Sequence, residues 1–284
     1  MAHDSRAHLY RHHPLRPQGA AGACGIVEEG HPGKTSEKEP RRGDLMSKTS
    51  SDVNSKPGTC GSPCLTLVEV TKAFEGLCAV KDVSLSVLDG EHRAILGPNG
   101  AGKTTLFNLI AGDLLPTSGK IYFRGEDVSR RSCNQRAFRG IARTFQITNL
   151  FFNLSIIDNL VLGAQALQRT KFSLFRPMTS YRHLYERGMA LLEAIGIEGL
   201  KDEQVRNLSY GVQRQVEILL ALTGQPSLLL LDEPTAGLSP AEAGIMVEML
   251  KTLPESITIL IIEHDMDVAF RLAQNITVLH YGEV

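Results

Sequence analysis

Gly97-Pro98-Asn99-Gly100-Ala101-Gly102-Lys103-Thr104-Thr105 constrains this chain more than any other stretch, because it fits the pattern G-x-x-x-x-G-K-[ST] at every required position. Glycine carries no Cβ, so a loop built from it can turn its backbone N–H groups inward around a polyphosphate. In such a loop Lys103 reaches the β- and γ-phosphates, and the Thr104 hydroxyl is placed to ligate Mg²⁺. The flanks agree. Arg93-Ala94-Ile95-Leu96 reads as a buried strand, and Thr105 to Ile110 opens an apolar helix whose N-terminus adds positive partial charge. Strand, loop and helix in this order point to an α/β fold around a nucleoside triphosphate site, rather than a glycine-rich turn without ligand.

The chain has 284 residues, room for one or two domains with a packed core. Its formal net charge of −1 argues against the electrostatic footprint of a nucleic-acid or anionic-lipid binder. No apolar run reaches the roughly 18 residues that a spanning helix needs, so any membrane role is expected to come through partners. Residues 1–64 are rich in Gly, Pro, Ser, His and mixed charge without a sustained period, and read as a disordered N-terminal extension. Met46 opens a shorter Ser/Lys-rich lead-in and is the expected natural start. His3, His8, His12 and His13 read as part of a solvated tail, which lacks the apolar core of a secretion signal. Cys24, Cys60, Cys64, Cys78 and Cys133 show no metal spacing. Cys60 and Cys64 are expected in a polar linker, as free thiols in a reducing cytosol.

The folded region is expected from Leu65 to Val284, with Leu65–Val70, Ala79–Leu88 and Lys120–Phe123 as strands. Residues from about 150 to 207 are helical in pattern, and a helix is expected over Gln215–Leu222 and another from about Pro240 to Thr252. Leu228-Leu229-Leu230-Leu231 and Ile257–Ile262 read as buried parallel strands, which place a ligand at their carboxyl ends. The first of these ends in Asp232-Glu233-Pro234. Asp232 suits Mg²⁺, and Glu233 suits the general base that orients an attacking water. Ser209-Tyr210-Gly211 precedes the Gln215 helix and offers a hydroxyl and free N–H groups to an anion, although in isolation Ser209 reads by default as an ordinary N-cap. His264, after the Ile257–Ile262 strand, and Gln146 in Arg143-Thr144-Phe145-Gln146 would each pass as unremarkable in isolation.

Together, Gly97–Thr105, Gln146, Leu208–Gln213, Leu228–Glu233 and His264 resemble, in order, the phosphate loop, Q-loop, signature, acidic strand and switch histidine of ABC-type ATPase domains. The resemblance covers residues from about 65 to 284. It implies a P-loop α/β fold with a mainly parallel sheet, an antiparallel β subdomain and an inserted helical subdomain over about 150–207. It also implies a head-to-tail dimer holding two ATP molecules, each between one domain's phosphate loop and the other's signature. On that analogy Ser209 and Gly211 contact the γ-phosphate of the partner's ATP, Gln146 senses Mg²⁺ and the attacking water, and His264 contacts the γ-phosphate. Thr104, Gln146 and Asp232 form the metal set, and Phe74 stacks on adenine unless it is a core residue. Gly237-Leu238-Ser239-Pro240 takes the place of the D-loop that crosses between subunits. The signature departs from the common pattern at Tyr210 and Val212, as expected of a chain that works beside a non-identical partner.

Leu208-Ser209-Tyr210-Gly211, Gly140-Ile141-Ala142-Arg143-Thr144-Phe145-Gln146 and Ala236–Glu242 are similar to the ATPases of branched-chain amino acid importers, with urea importers related. That likeness implies a second ATPase, two multi-pass permeases and an external solute-binding protein, with this subunit on the cytoplasmic face of a bacterial inner membrane and no nucleic acid involved. Members of the family continue beyond the position of Val284, so a further C-terminal segment is expected. Long coiled coils of DNA-repair relatives are not expected here, because the stretch between phosphate loop and signature lacks sustained heptads.

Overall fold

Four consecutive leucines cannot alternate between core and solvent, so a strand made of Leu228–Leu231 must be covered on both faces. The computed structural model, which describes residues 62–144, 150–166 and 182–284, shows that arrangement. In chain order its strands are β1 Pro63–Phe74, β2 Leu77–Leu88, β3 His92–Leu96, β4 Ser118–Phe123, β5 Glu126–Asp127, β6 Ile141–Arg143, β7 Leu228–Asp232, β8 Thr258–Ile262 and β9 Asn275–Val278. The helices are α1 Lys103–Ala111, α2 Cys133–Ala137, α3 Ile156–Ala166, α4 Arg182–Ala194, α5 Tyr210–Leu222, α6 Pro240–Lys251 and α7 Met266–Leu272.

The strands form two sheets. One is parallel with order β6-β7-β8-β3-β9, and the other antiparallel with order β2-β1-β4-β5. Every residue of β7 and β8 is buried. Alternate side chains of the parallel sheet enter different cores. Ile95, Leu228, Leu230, Leu260 and Ile262 pack with Leu106, Phe107, Leu109 and Ile110 of α1 and with the inner face of the antiparallel sheet. Ala94, Leu96, Leu229, Leu231, Ile259 and Ile261 pack with side chains of α3 to α7. Each leucine buried in this way contributes about 1.5–3 kcal/mol, which is why the continuous apolar run, and not a period of two, marks these strands. Because the five strands run parallel, the residues that follow β3, β7 and β8 all emerge at one edge of the sheet.

The structure departs from the sequence pattern in three places. Strict alternation from Leu65 would put Glu69 on the core face. Instead the register against β2 shifts between Leu67 and Val70 and Glu69 takes φ +49°, so that Val70 returns to the core. This is a β-bulge, which inserts one residue to restore the phase of burial. Second, α5 starts at Tyr210 rather than Gln215. Ser209 is extended and its side chain accepts from the Val212 N–H, so the cap, and not the weak propensity of Tyr-Gly, sets the helix start. Third, Cys64 lies fully buried in β1, not in a linker, whereas Cys60 lies outside the described residues. In the stretch expected to be helical, the described residues form α3 and α4, and two short 3-10 turns, Glu198–Leu200 and Val205–Asn207, follow α4 before α5.

Candidate active site

Between β3 and α1 the chain makes the loop Gly97–Gly102, and two of its glycines are required by contact. A Cβ on Gly97 would lie 2.1 Å from the Leu279 carbonyl oxygen, and one on Gly102 would lie 2.2 Å from that of Ala79. Gly102 also takes φ +99° as the N-cap of α1. The Ala101 N–H donates to the Pro98 carbonyl at 3.1 Å, closing the turn, and the Ala101 carbonyl accepts from Gly282 N–H at 2.9 Å. Pro98, Asn99 and Gly100 are exposed at its crest, and Thr104 is exposed on the first turn of α1. That turn carries no acidic side chain, which leaves its positive end for an outside anion.

Lys103 is buried, and its Nζ donates to the carbonyls of Gly97 at 2.7 Å and Pro98 at 3.0 Å. Burial pulls its ammonium below the ordinary lysine value, opposed by the negative charges of Glu233 and Asp232. Those two acids are placed by β7. Asp232 is its last residue and 1% exposed, and its Oδ2 accepts from Arg143 Nη2 at 2.9 Å. Its Oδ1 is buried without a hydrogen-bond partner. Burial raises the Asp232 carboxyl above the ordinary range, and the Arg143 guanidinium pulls the other way. Arg143 also reaches Asn108 and Asp113 at the end of α1, so one side chain ties β6, β7 and α1 together.

Glu233 sits just past β7 at φ +49°, in the left-handed region that a non-glycine residue adopts only when its surroundings impose it. Its N–H donates to the Ile262 carbonyl at 2.9 Å. His264, two residues after β8, brings Nε2 to 2.6 Å from Glu233 Oε1. The direction of that bond depends on the histidine tautomer. Lys103, Asp232, Glu233 and His264, distant in sequence, are thus brought to the same sheet edge.

The remaining expected residues lie elsewhere or outside the described part. Ser209 caps α5, and Gly211 lies against the Glu242 carboxylate of α6, whose Oε1 is 2.7 Å from the position a Cβ would take. Tyr210 packs on Gly237, the loop that precedes α6. Phe74 is not a core residue. At the end of β1 it is 42% exposed, with Lys72 Nζ 5.0 Å from its ring centroid. Gln146 lies outside the described residues; Thr144, on its near flank, donates its N–H to the Leu230 carbonyl at 3.0 Å, beside the strand that carries Asp232. Two groups at the site were not singled out by sequence: Arg143 as the partner of Asp232, and Glu263, which is buried between Thr235 and His264. An acid directly after the apolar run Thr258–Ile262 repeats the pattern of Asp232 after its leucines, a signal that was there to read.

Residues 80–236 match the model of the family described as ABC transporter. The chain belongs to that family. It is 37% identical over 227 residues to the high-affinity branched-chain amino acid transport ATP-binding protein LivG of Escherichia coli (strain K12), covering 78% of this chain and 89% of that protein. Among solved structures it resembles MJ1267, an ATP-binding cassette of an ABC transporter, at TM-score 0.70 and 31% identity over 78% of this chain and 89% of that one. It also resembles the dimeric, post-hydrolysis form of the cassette MJ0796 bound to ADP and Pi, at TM-score 0.64 and 28% identity, covering 78% and 96%. The family and these likenesses make the chain an ABC transporter ATPase. Among the described residues no helix is long and apolar enough to cross a membrane.

Proposed function

We propose that this ABC ATPase powers an importer for branched-chain or related amino acids. It acts as one half of a head-to-tail pair with a second, non-identical ATPase subunit. Two multi-pass permeases hold the pair at the cytoplasmic face of a bacterial inner membrane, and an external binding protein delivers the solute. The hydrolytic part of this reading is carried by the 2.6 Å His264–Glu233 contact at the strand edge that also holds Lys103. The solute class and the pairing are supported by the likeness to LivG and to the dimeric MJ0796 cassette.

In this reading the loop from Gly97 to Thr105 cradles the β- and γ-phosphates with its N–H groups, and the Lys103 ammonium neutralises them. Phe74 stacks on adenine with the Lys72 charge at its ring. Glu233 takes a proton from water as the water oxygen attacks the γ-phosphorus; the bond to the β–γ bridging oxygen breaks and its electron pair leaves on ADP. His264 orients Glu233 and contacts the γ-phosphate. The residues present suit Mg²⁺, because Asp232 Oδ1 is a buried, unpartnered hard oxygen and Thr104 adds an exposed hydroxyl. Thr104, Asp232 and Gln146 would hold the ion, which supplies charge neutralisation on the phosphate oxygens when bound. Ser209 and Gly211, at the N-terminus of α5, contact the γ-phosphate of the partner's ATP, so ATP closes the pair and hydrolysis reopens it.

The test is purification from source membranes in mild detergent, followed by reconstitution into vesicles with ATP on the side of this subunit. Co-purification of a second ATPase with two permeases, and ATP-dependent uptake of radiolabelled leucine with the binding protein present, is the expected result. Uptake of urea but not leucine would reassign the solute. Recovery of DNA- or ribosome-bound partners alone would overturn the transport reading.

A further inference from the structure

Glu263 follows β8 directly and is 3% exposed, yet no step above uses it. Its carboxylate accepts three hydrogen bonds from the two sides of the hydrolytic pair. Oε1 accepts from the Thr235 N–H at 3.2 Å and the Thr235 hydroxyl at 2.8 Å, and Oε2 accepts from the His264 N–H at 3.2 Å. Thr235 lies two residues after Glu233, and the Glu233 carbonyl in turn accepts from Ala236 N–H at 3.1 Å. The His264–Glu233 contact is thus closed from below by a second bridge, Thr235–Glu263–His264.

We propose that Glu263 is a positioning residue for hydrolysis, a buried carboxylate that holds Glu233 and His264 at their contact distance. This rests on the assignment of Glu233 as the base. The chemistry of the bridge requires an acid. All three partners are donors, and among side chains only a carboxylate offers two acceptor oxygens at this reach. An apolar side chain would be the cheaper filling for a site this buried, since an ionised group there is penalised by desolvation. The need for a bridge is visible in its clients. The His264 side chain is 44% exposed and that of Glu233 27% exposed, both sit past strand ends, and Glu233 is held at an unfavourable φ. Side chains so placed keep a catalytic geometry only when a supporting layer locks them.

The test uses the full chain, with Glu263→Gln and the milder Thr235→Val. Glutamine can still accept from Thr235 but turns a donor toward the His264 N–H; valine removes only the hydroxyl bond. Glu263→Gln is expected to lower kcat about 10- to 100-fold, the range for a displaced catalytic group, with KM for ATP within about twofold. Thr235→Val is expected to give a smaller fall of the same kind. On a Glu233→Gln background neither substitution should lower kcat further, because the effect runs through Glu233. In a crystal structure of Glu263→Gln the His264 Nε2 to Glu233 separation should exceed about 3.5 Å. The proposal is overturned by wild-type kcat in a stably folded Glu263→Gln protein, by equal losses on both backgrounds, by KM and melting temperature falling together with kcat in both variants, or by an unchanged contact in the crystal. Absence of turnover in the unsubstituted chain would count against the assignment of Glu233 alone, and the crystallographic distance would still decide this one.

Discussion

Arg143→Met tests whether the acid end of β7 depends on a single cation. The Arg143 side chain is 10% exposed and that of Asp232 0% exposed, and the guanidinium is the only hydrogen-bond donor to Asp232 among the described residues. At 2.9 Å and an effective dielectric constant near 20, the gross attraction is about 6 kcal/mol, set against the desolvation of both groups. Removing one member of such a pair leaves a buried charge without compensation and costs about 3–5 kcal/mol. The lost contact with Asp113 adds little, because that carboxylate is 35% exposed. Arg143→Met is therefore expected to lose about 4 kcal/mol, and Asp232→Asn less, since Arg143 keeps Asn108 and Asp113. The double variant should recover most of the loss, giving a coupling energy of at least about 2 kcal/mol. Urea unfolding in chelator, followed by far-UV circular dichroism because the chain has no tryptophan, gives all three values. A loss under about 1 kcal/mol for Arg143→Met, or additive single losses, would refute the pairing as the source of order at this strand end.

Glu233→Gln keeps the shape of the base and leaves the Lys103 contacts intact, so kcat should fall about 10²- to 10⁴-fold with nucleotide affinity unchanged, and ATP should trap a closed pair on size-exclusion chromatography. Rapid hydrolysis by this variant would remove Glu233 as base. Lys103→Ala deletes the one buried cation of the loop, and ATP binding by calorimetry should weaken at least about tenfold. Gly102→Ala places a Cβ 2.2 Å from a backbone oxygen at φ +99°, so chemical denaturation should show a loss of about 2–4 kcal/mol; a neutral result would mean that the loop is not pinned by β2. Burial raises the Glu263 carboxyl above its ordinary 4.5, opposed by the bonds from Thr235. The folded state then binds that proton more tightly than the unfolded state, so the contribution of Glu263 to stability is greatest below 4.5 and is lost as pH rises through the folded value. The stability of the wild type relative to Glu263→Gln should accordingly decline from acid toward neutral pH, and a flat difference would place Glu263 in a wetter site than the structure shows.

How much of this was legible in the sequence divides along a physical line. The phosphate loop is read locally, because its glycines and a lysine at fixed spacing lie within nine consecutive residues, although the carbonyls of Ala79 and Leu279 that exclude a Cβ come from elsewhere in the chain. The buried strands were legible for the same reason, since Leu228–Leu231 can be satisfied only between two cores. What a linear reading could not supply was pairing across distance. Arg143 meets Asp232 from 89 residues away, and Glu263 meets Thr235 from 28. No period or spacing encodes either contact, because each depends on the register of parallel strands, Arg143 beside Leu230 and Asp232 beside Ile262. The α5 boundary shows the same limit on a smaller scale, where one side-chain cap outweighed the propensity of Tyr210 and Gly211.

The groups missed share a character that explains why they matter. Both are charged, Glu263 is buried and the Arg143 side chain is only 10% exposed, and neither has a place in a core built for stability alone. A chain selected only to stay folded would gain by replacing Glu263 with an apolar residue, because burial penalises its ionised form. The ionised form offsets that cost at the site: charged oxygens accept more strongly from Thr235 and His264 than those of the neutral acid, so the pH range in which Glu263 weakens the fold is the range in which it best holds the hydrolytic pair. Stability and activity should therefore move in opposite directions as pH rises through the Glu263 titration, and in Glu263→Gln neither should show that dependence.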